Sequence, residues 1–507
     1  MRDVVSTLME TGNVFWGIND YMARYAPYIK RSEARELAQC YVVGLMMDGD
    51  RKSVEPMSEK VHASKRGMQR LLTEVKWDRD GAFGEYRRQM LAETADPQGV
   101  LVIDDTGFPK KGRNSVCVAR QYCGSLGKVD NCQIGVSLTY VGQGFAWPYE
   151  MKLFVPRSWD NPDDPDCRAM RKKTHMPEEA HYREKWQMAL DLIDLARTNG
   201  IPHRAVVADS WYGNVTEFRQ GLDDRHERYV VGIHSDTAVF LESPVFVEPN
   251  PTQKKRGRPR KYPKLEETNP LPVKVSDLGK CVDEGGWEHL EIRRDSLGKP
   301  LVIEAVSRRV FPAQGYRKGT RYEEVWLIIE RRQKDDNQSE LRYFFSNMPQ
   351  DMPTLEMVSL FHERFWIEQG YQQLKEELGL DHHEGRRWTG WHRHVLLVFL
   401  NLNRPVVDDL VRVKYTKSEM VHHREELEHD IAKEAMRMMG IEKAIEIISM
   451  ADVPAGTSLG SSSCYAVGLL RALQSMKREY CSLQDLAEMA CELEIGRLGK
   501  PIGKQDQ

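Results

Sequence analysis

The chain has 507 residues, 40% of them hydrophobic and 29% charged, which describes a soluble globular protein too long for one ordinary core. Two to four domains are expected. Its 73 basic and 76 acidic residues leave a net charge of −3, which excludes the globally basic profile of many nucleic-acid binders. Any DNA-binding surface must then be a local concentration of basic residues.

The nine cysteines include no C-x-x-C pair, and the spacing of Cys117, Cys123 and Cys132 fits no zinc module. A reduced, cytoplasmic chain is expected. The opening MRDVVSTLMETGN has no apolar leader core, and the apolar run Val395–Leu400 is too short to span a bilayer. No membrane association is expected.

Residues 1–95 read as helical. The stretch 32–47 places apolar side chains at helical spacing and ends at Asp48-Gly49-Asp50. Ser53–Lys60 and Ser64–Val75 read as two short helices split by His62-Ala63. They fit either a helix-turn-helix, with Lys65, Arg66 and Arg70 on its second helix, or an ordinary helical hairpin.

Residues 96–228 change character. Val100–Asp105 is a buried strand ending in acids, and Cys132–Tyr140 and Met151–Val155 read as further strands. Glu178–Arg197 is an amphipathic helix closed by Asn199-Gly200, and Ala205–Asp209 is a second buried strand ending in an acid. Strands, a helix and another strand indicate an α/β core with a mixed sheet. Residues 229–350 are mostly strand-like and carry a Pro- and Lys-rich loop at 249–272. From Thr354 the chain reads as helical, through 351–404 and on to 405–507.

Ligands gather at the carboxyl ends of strands in open α/β sheets. Two acids at neighbouring strand ends repel each other, and hard Mg²⁺, which prefers carboxylate oxygens, relieves that repulsion. A third acid lies on a helix. Phe361, Arg364, Glu368, Tyr371 and Lys375 are spaced by three, four, three and four residues and share one face. One carboxylate between an arginine and a lysine suits a metal ligand beside clamps for a polyanion. An isolated pattern of this kind is more often a solvated helix face, and a single strand-end acid is more often structural. The three together, in the order strand, strand, helix, are far more specific. At the first strand Asp104 and Asp105 compete, because alternation points them to opposite faces.

The pattern resembles the DDE-type transposases of bacterial insertion sequences, in the branch with a Tyr-x2-Arg-x3-Glu-x6-Lys signature. Here the signature is Phe361-x2-Arg364-x3-Glu368-x6-Lys375, with Phe in place of Tyr. Ile103–Gly112, Arg120–Lys128, Asn131–Gln133 and Gly379–Arg386 are similar to one subgroup of that branch, so the resemblance runs from about 98 to 400. It implies an RNase H-like mixed-sheet core in two parts, 96–228 and 351–404, interrupted by a mostly β insertion at 229–350. Helical N- and C-terminal regions flank that core. It also implies Asp105, the acid immediately before Thr106, as the catalytic acid of the first strand, with Asp104 in a supporting role.

The implied site is Asp105, Asp209 and Glu368 holding two Mg²⁺ ions, with Mn²⁺ able to substitute. The implied chemistry is phosphodiester hydrolysis followed by transesterification. The partners are double-stranded transposon ends and target DNA, and a homodimer in the synaptic complex. Such a protein is cytoplasmic and associates with the nucleoid when bound to DNA. Arg364, Lys375, Lys110 and Lys111 are candidate phosphate contacts.

Lys254–Lys261 resembles an AT-hook core, and residues 251–265 hold seven Lys/Arg and no acid. Arg256, Arg258 and Arg260 are therefore candidate minor-groove contacts, against the alternative of a solvated basic loop. His382, His383, His392 and His394 raise a zinc reading that the absence of a companion cysteine weakens. Two further readings compete with a transposase: a structure-specific nuclease without strand transfer, and a catalytically silent repressor.

Overall fold

The computed structural model describes residues 18–47, 49–142, 145–249, 261–294, 300–318, 320, 322–333, 339–402, 411–414, 418–442, 445–448, 461–477 and 481–500. The chain divides into two compact units, residues 1–290 with 303–403, and residues 291–302 with 404–507.

After a short helix at Ile18–Ala23, the first unit continues with helices α1 (Ser32–Met46), α2 (Val54–Lys60), α3 (Lys65–Thr73) and α4 (Arg79–Thr94). Ser64 and Asp78 cap α3 and α4, accepting the amides of Gly67 and Gly81 at 3.0 and 2.9 Å. Met68, Leu71 and Leu72 bury one face of α3, while Lys65, Arg66 and Arg70 lie exposed on the other. These helices share the hydrophobic core of the unit.

The sheet begins with β1 (Val100–Pro109), β2 (Ala119–Cys123), β3 (Lys128–Gly142) and β4 (Phe145–Leu153). Helix α5 (Lys185–Thr198) leads to β5 (Ala205–Ala208), the four-residue helix α6 (Ser210–Gly213) and β6 (Tyr229–Ile233). A Glu184–Gln187 capping box starts α5, and Gly200, at φ +67°, lets the chain turn away at its end. β4, β3 and β1 run antiparallel, and β1, β5 and β6 run parallel. Val100–Ile103 and Ala205–Ala208 are buried throughout because each strand has neighbours on both edges. Each fully buried Val or Ile of this kind contributes about 1.5–3 kcal/mol.

The sheet continues through β7 (Ala238–Phe240), β8 (Pro300–Pro312), β9 (Val325–Gln333) and β10 (Ser339–Ser346). β10 pairs antiparallel with β6, Tyr343 opposite Ile233 and Ser346 opposite Val230. Most strands of the β-rich stretch 229–350, read from the sequence as an insertion, join this same sheet, while Phe246–Val247 and Lys264–Leu265 pair as a separate two-stranded sheet. Helices α7 (Thr354–His362), α8 (Arg364–Gln372) and α9 (Trp388–Phe399) complete the unit. A π-helical turn follows α8 at Gln373–Glu377.

The second unit adds strands to the largely helical region expected for 405–507. It holds a three-stranded sheet of β11 (Val411–Lys414), β12 (Ser418–Val421) and β13 (Ile445–Ile448). Helices α10 (Asp430–Met438), α11 (Ser461–Lys477) and α12 (Leu483–Cys491) accompany it. The strands are four residues each, too short for their β-branched alternation to stand out among charged neighbours.

Candidate active site

The parallel register aligns Ile103 of β1 with Ala208 of β5, so Asp104 and Asp209 follow at the same level on adjacent strands. Asp209 stands just past the end of β5, whereas β1 does not end at its acids as read from the sequence but runs on to Pro109, paired with β3, leaving Asp104 and Asp105 midway along it. The Asp209 carboxylate caps α6, accepting the amides of Trp211 at 3.0 Å and Tyr212 at 3.1 Å. Cross-strand pairing sets Asp104 opposite Ser137 and Asp105 opposite Val136. Successive side chains leave a strand on opposite faces, and the contacts of the two acids follow that rule. Asp104 meets α8, with Arg364 Nη2 at 3.2 Å from Oδ2. Asp105 meets α5, with Lys185 Nζ at 2.8 Å from Oδ2.

Burial raises the Asp104 carboxyl to about 7, with Asp209 and Asp105 adding to the rise and Arg364 opposing it. Burial also raises Asp105, against the pull of Lys185 and with a further push from Asp209. Each of the two acids is thus raised in spite of the cation beside it.

Helix α8 brings the rest of the predicted face. The Tyr371 hydroxyl lies 2.5 Å from Ser137 Oγ, the residue paired with Asp104, which locks α8 onto that face of the sheet. Arg364 lies between two acids, 3.2 Å from Asp104 and 3.8 Å from Glu368. The Glu368 side chain is 63% exposed. Among the described residues, no three His, Cys, Asp or Glu side chains stand close enough to share one metal ion. Glu368 therefore faces the site from its rim, while Asp104 and Asp209 lie level on adjacent strands and Asp105 points to the other face. Phe361 packs its ring 4.0 Å from that of Phe344 and is buried, so a phenylalanine serves where the signature has tyrosine.

The lysines divide. Lys375 sits in the π-helical turn and donates to the Gly107 carbonyl at 3.0 Å. Lys110 donates to the His383 carbonyl at 2.7 Å, and burial lowers its ammonium to about 8. Both brace backbone around the end of β1. Lys111 is exposed. Arg256, Arg258 and Arg260 lie outside the described residues. His394 bridges the Tyr41 hydroxyl at 2.8 Å and the Leu380 carbonyl at 3.0 Å, and His392 contacts the Trp388 carbonyl at 3.0 Å. Burial lowers these imidazoles to about 4 and about 3. His394 is a core histidine joining α1 to α9, and His392 bonds within α9.

Two residues escaped the sequence reading. Lys185 begins α5, and nothing local marks it. Trp211 stands two positions beyond Asp209 and is 41% exposed, an unusual state for an indole.

The family described as DDE superfamily endonuclease matches residues 24–298, over half the chain. This chain belongs to the DDE superfamily endonucleases. The matched span includes Asp104, Asp105 and Asp209 and ends before Glu368. A probable transposase for insertion sequence element IS701 from Microchaete diplosiphon is 26% identical over 365 residues, covering 71% of this chain and 80% of that protein. The resemblance to DDE-type insertion-sequence transposases therefore holds. A piggyBac transposase synaptic complex with hairpin DNA aligns with 94% of this endonuclease and 74% of that chain, at 9% identity and a TM-score of 0.34, which is too low to bear on the fold. Residues 426–507 match the GHMP kinases N terminal domain, a span that contains none of the site residues. No helix among the described residues is long and apolar enough to cross a membrane.

Proposed function

We propose that this DDE endonuclease is a cut-and-paste DNA transposase, cleaving transposon ends and joining them to target DNA. The observation that carries the reading is the alignment of Asp104, midway along β1, with Asp209, at the end of the adjacent parallel strand β5, facing a helix that presents Arg364 and Glu368. The strand order β4-β3-β1-β5-β6, antiparallel then parallel, supports an RNase H-like core.

The donor set suits a hard divalent cation, since buried carboxylates that raise one another's proton affinity have charge left to neutralise. Asp209, Glu368 and one acid of the Asp104–Asp105 pair would hold two Mg²⁺ ions, with Mn²⁺ as a substitute, once Glu368 turns inward from solvent. When bound, such ions supply activation of the attacking water or 3′-hydroxyl and stabilise the leaving oxygen. The resemblance implied Asp105. What favours Asp104 is its position on the face of Glu368, whereas Asp105 is engaged by Lys185 on the other face.

Arg364, paired with Asp104 in the metal-free chain, would be the group to hold a DNA phosphate beside the acids. Lys375 and Lys110 hold the end of β1 in place through its neighbouring carbonyls. Lys111 contacts phosphate directly, and the Arg256, Arg258 and Arg260 segment follows the minor groove. Two copies of the chain act on two ends in a synaptic complex, in the cytoplasm at the nucleoid. The test is incubation of purified protein with Mg²⁺ and duplexes carrying the element's ends. Cleaved and joined products support transposition, and cleavage without joining supports a plain nuclease.

A further inference from the structure

We propose that the buried Glu330–His362 pair positions Glu368, by fixing the point from which helix α8 starts; the proposal rests on the reading of Glu368 as a metal ligand given above. Glu330 stands in β9 and is fully buried. His362 Nε2 lies 2.8 Å from Glu330 Oε2. Arg332 donates to the other carboxylate oxygen at 2.6 Å and lies 3.0 Å from His362 Nδ1. Burial by itself raises such a carboxyl, but His362 and Arg332 outweigh it and hold Glu330 below the ordinary glutamate value. A buried ion pair adds little net stability over well-packed apolar residues, and its best-attested use is to select one arrangement among several.

The arrangement selected here is the joint between α7 and α8. His362 is the last residue of α7, and Glu363 caps both helices. The Trp366 amide bonds back to the Glu363 carbonyl at 3.1 Å, which tightens the joint. Upstream, α7 is docked on the β-rich strands, with Phe361 against Phe344 of β10 and Thr354 Oγ1 2.9 Å from Ser307 Oγ of β8. Downstream, Tyr371 ties α8 to Ser137 of the core sheet. Glu368 lies between these two ties, still exposed and 3.8 Å from Arg364. On a helix rising 1.5 Å per residue, roughly 9 Å separate His362 from Glu368, so a shift of the joint is passed directly to that carboxylate. The β-rich stretch thereby gains a task, which is to supply the anchor that aims Glu368 at Asp104 and Asp209.

Metal binding is measured directly, by Mn²⁺ electron-paramagnetic-resonance titration of the purified full chain without DNA. E368Q is expected to weaken Mn²⁺ binding, and H362A to weaken it about tenfold. H362Q, which keeps a nitrogen donor for Glu330, stays within about twofold of wild type. H362A added to E368Q costs nothing further, because His362 acts through Glu368. E330M/H362M removes both partners together and strands neither, so it gives the same tenfold reading if H362A does not fold. Binding of the end duplex in chelator is expected to match wild type in each folded variant. Wild-type Mn²⁺ affinity in H362A and in E330M/H362M overturns the proposal, as does a full loss in H362Q or a further loss on adding H362A to E368Q. Weakened binding in E368Q beside an unaffected H362A removes the positioning role alone. Wild-type affinity in E368Q removes Glu368 from the metal site and the proposal with it.

Discussion

Lys185 Nζ lies 2.8 Å from the Asp105 carboxylate, so one acid of the Asp104–Asp105 pair is matched by a lysine from α5 while the other faces the helix of Glu368. This division gives the two neighbours different expected phenotypes. D104N, D209N and E368Q are expected to abolish cleavage. D105N, which removes a supporting charge, is expected to reduce it about 10- to 100-fold. Single-turnover cleavage with Mg²⁺ reads all four. A dead D105N beside an active D104N reverses the assignment.

The Lys185–Asp105 contact also bears on stability. Both side chains are about four-fifths buried, at 19% and 21% exposure. Removing the ammonium in K185M strands a buried carboxylate and is expected to destabilise the fold by about 1–3 kcal/mol. Adding D105N to K185M should restore most of that loss. Urea melts of the two single variants and the double variant measure the coupling, and additive effects would show that the pair does not interact.

The Asp104 carboxyl, raised to about 7 by burial and then by Asp209 and Asp105 against Arg364, makes stability depend on pH with a definite sign. Its unfolded value is roughly 3.9, so between the two values the folded chain holds a proton that the unfolded chain has released. The metal-free protein is therefore expected to lose stability as pH rises from about 4 through 7, by an amount on the order of a few kcal/mol. D104N should remove that component of the slope. Thermal melts of both proteins in chelator across this range decide it, and identical pH profiles count against the buried carboxyl.

The basic residues separate into bracing and binding groups. K110A removes an ammonium that donates to the His383 carbonyl and is expected to lower stability more than DNA affinity. K111A, at an exposed position, should leave the melt unchanged and reduce the salt slope of DNA binding by about one. Deleting residues 254–261 should weaken binding most on AT-rich DNA. Fluorescence-anisotropy titrations at several salt concentrations test all three changes.

The mixed core was legible because its strands announce themselves: Val100–Ile103 and Ala205–Ala208 are unbroken apolar runs ending in acids. The helix face of Arg364, Glu368 and Tyr371 was legible from its spacing, and Tyr371 reaches the sheet through Ser137. Alternation also showed that Asp104 and Asp105 point apart, but not which face carries the third acid. That depends on where α8 packs, a relationship between segments some 260 residues apart. Lys185 was hidden for the same reason, since its partner lies 80 residues away. Lys110 and Lys375 read as phosphate contacts because sequence shows charge and not the backbone carbonyls that can take it up. The continuity of the β-rich stretch with the core sheet depends on β10 choosing β6, which no local pattern encodes.

The most direct test of the account is strand transfer by the purified chain. Protein, Mg²⁺ and a labelled duplex carrying the element's end are mixed with supercoiled target DNA, and joined products are resolved on a gel. Wild type is expected to cleave the end and join its 3′-hydroxyl to the target, with chelator or D209N eliminating both products. Joined products of undiminished yield from D209N, or folded wild-type protein that binds the ends and neither cleaves nor joins them, would contradict it.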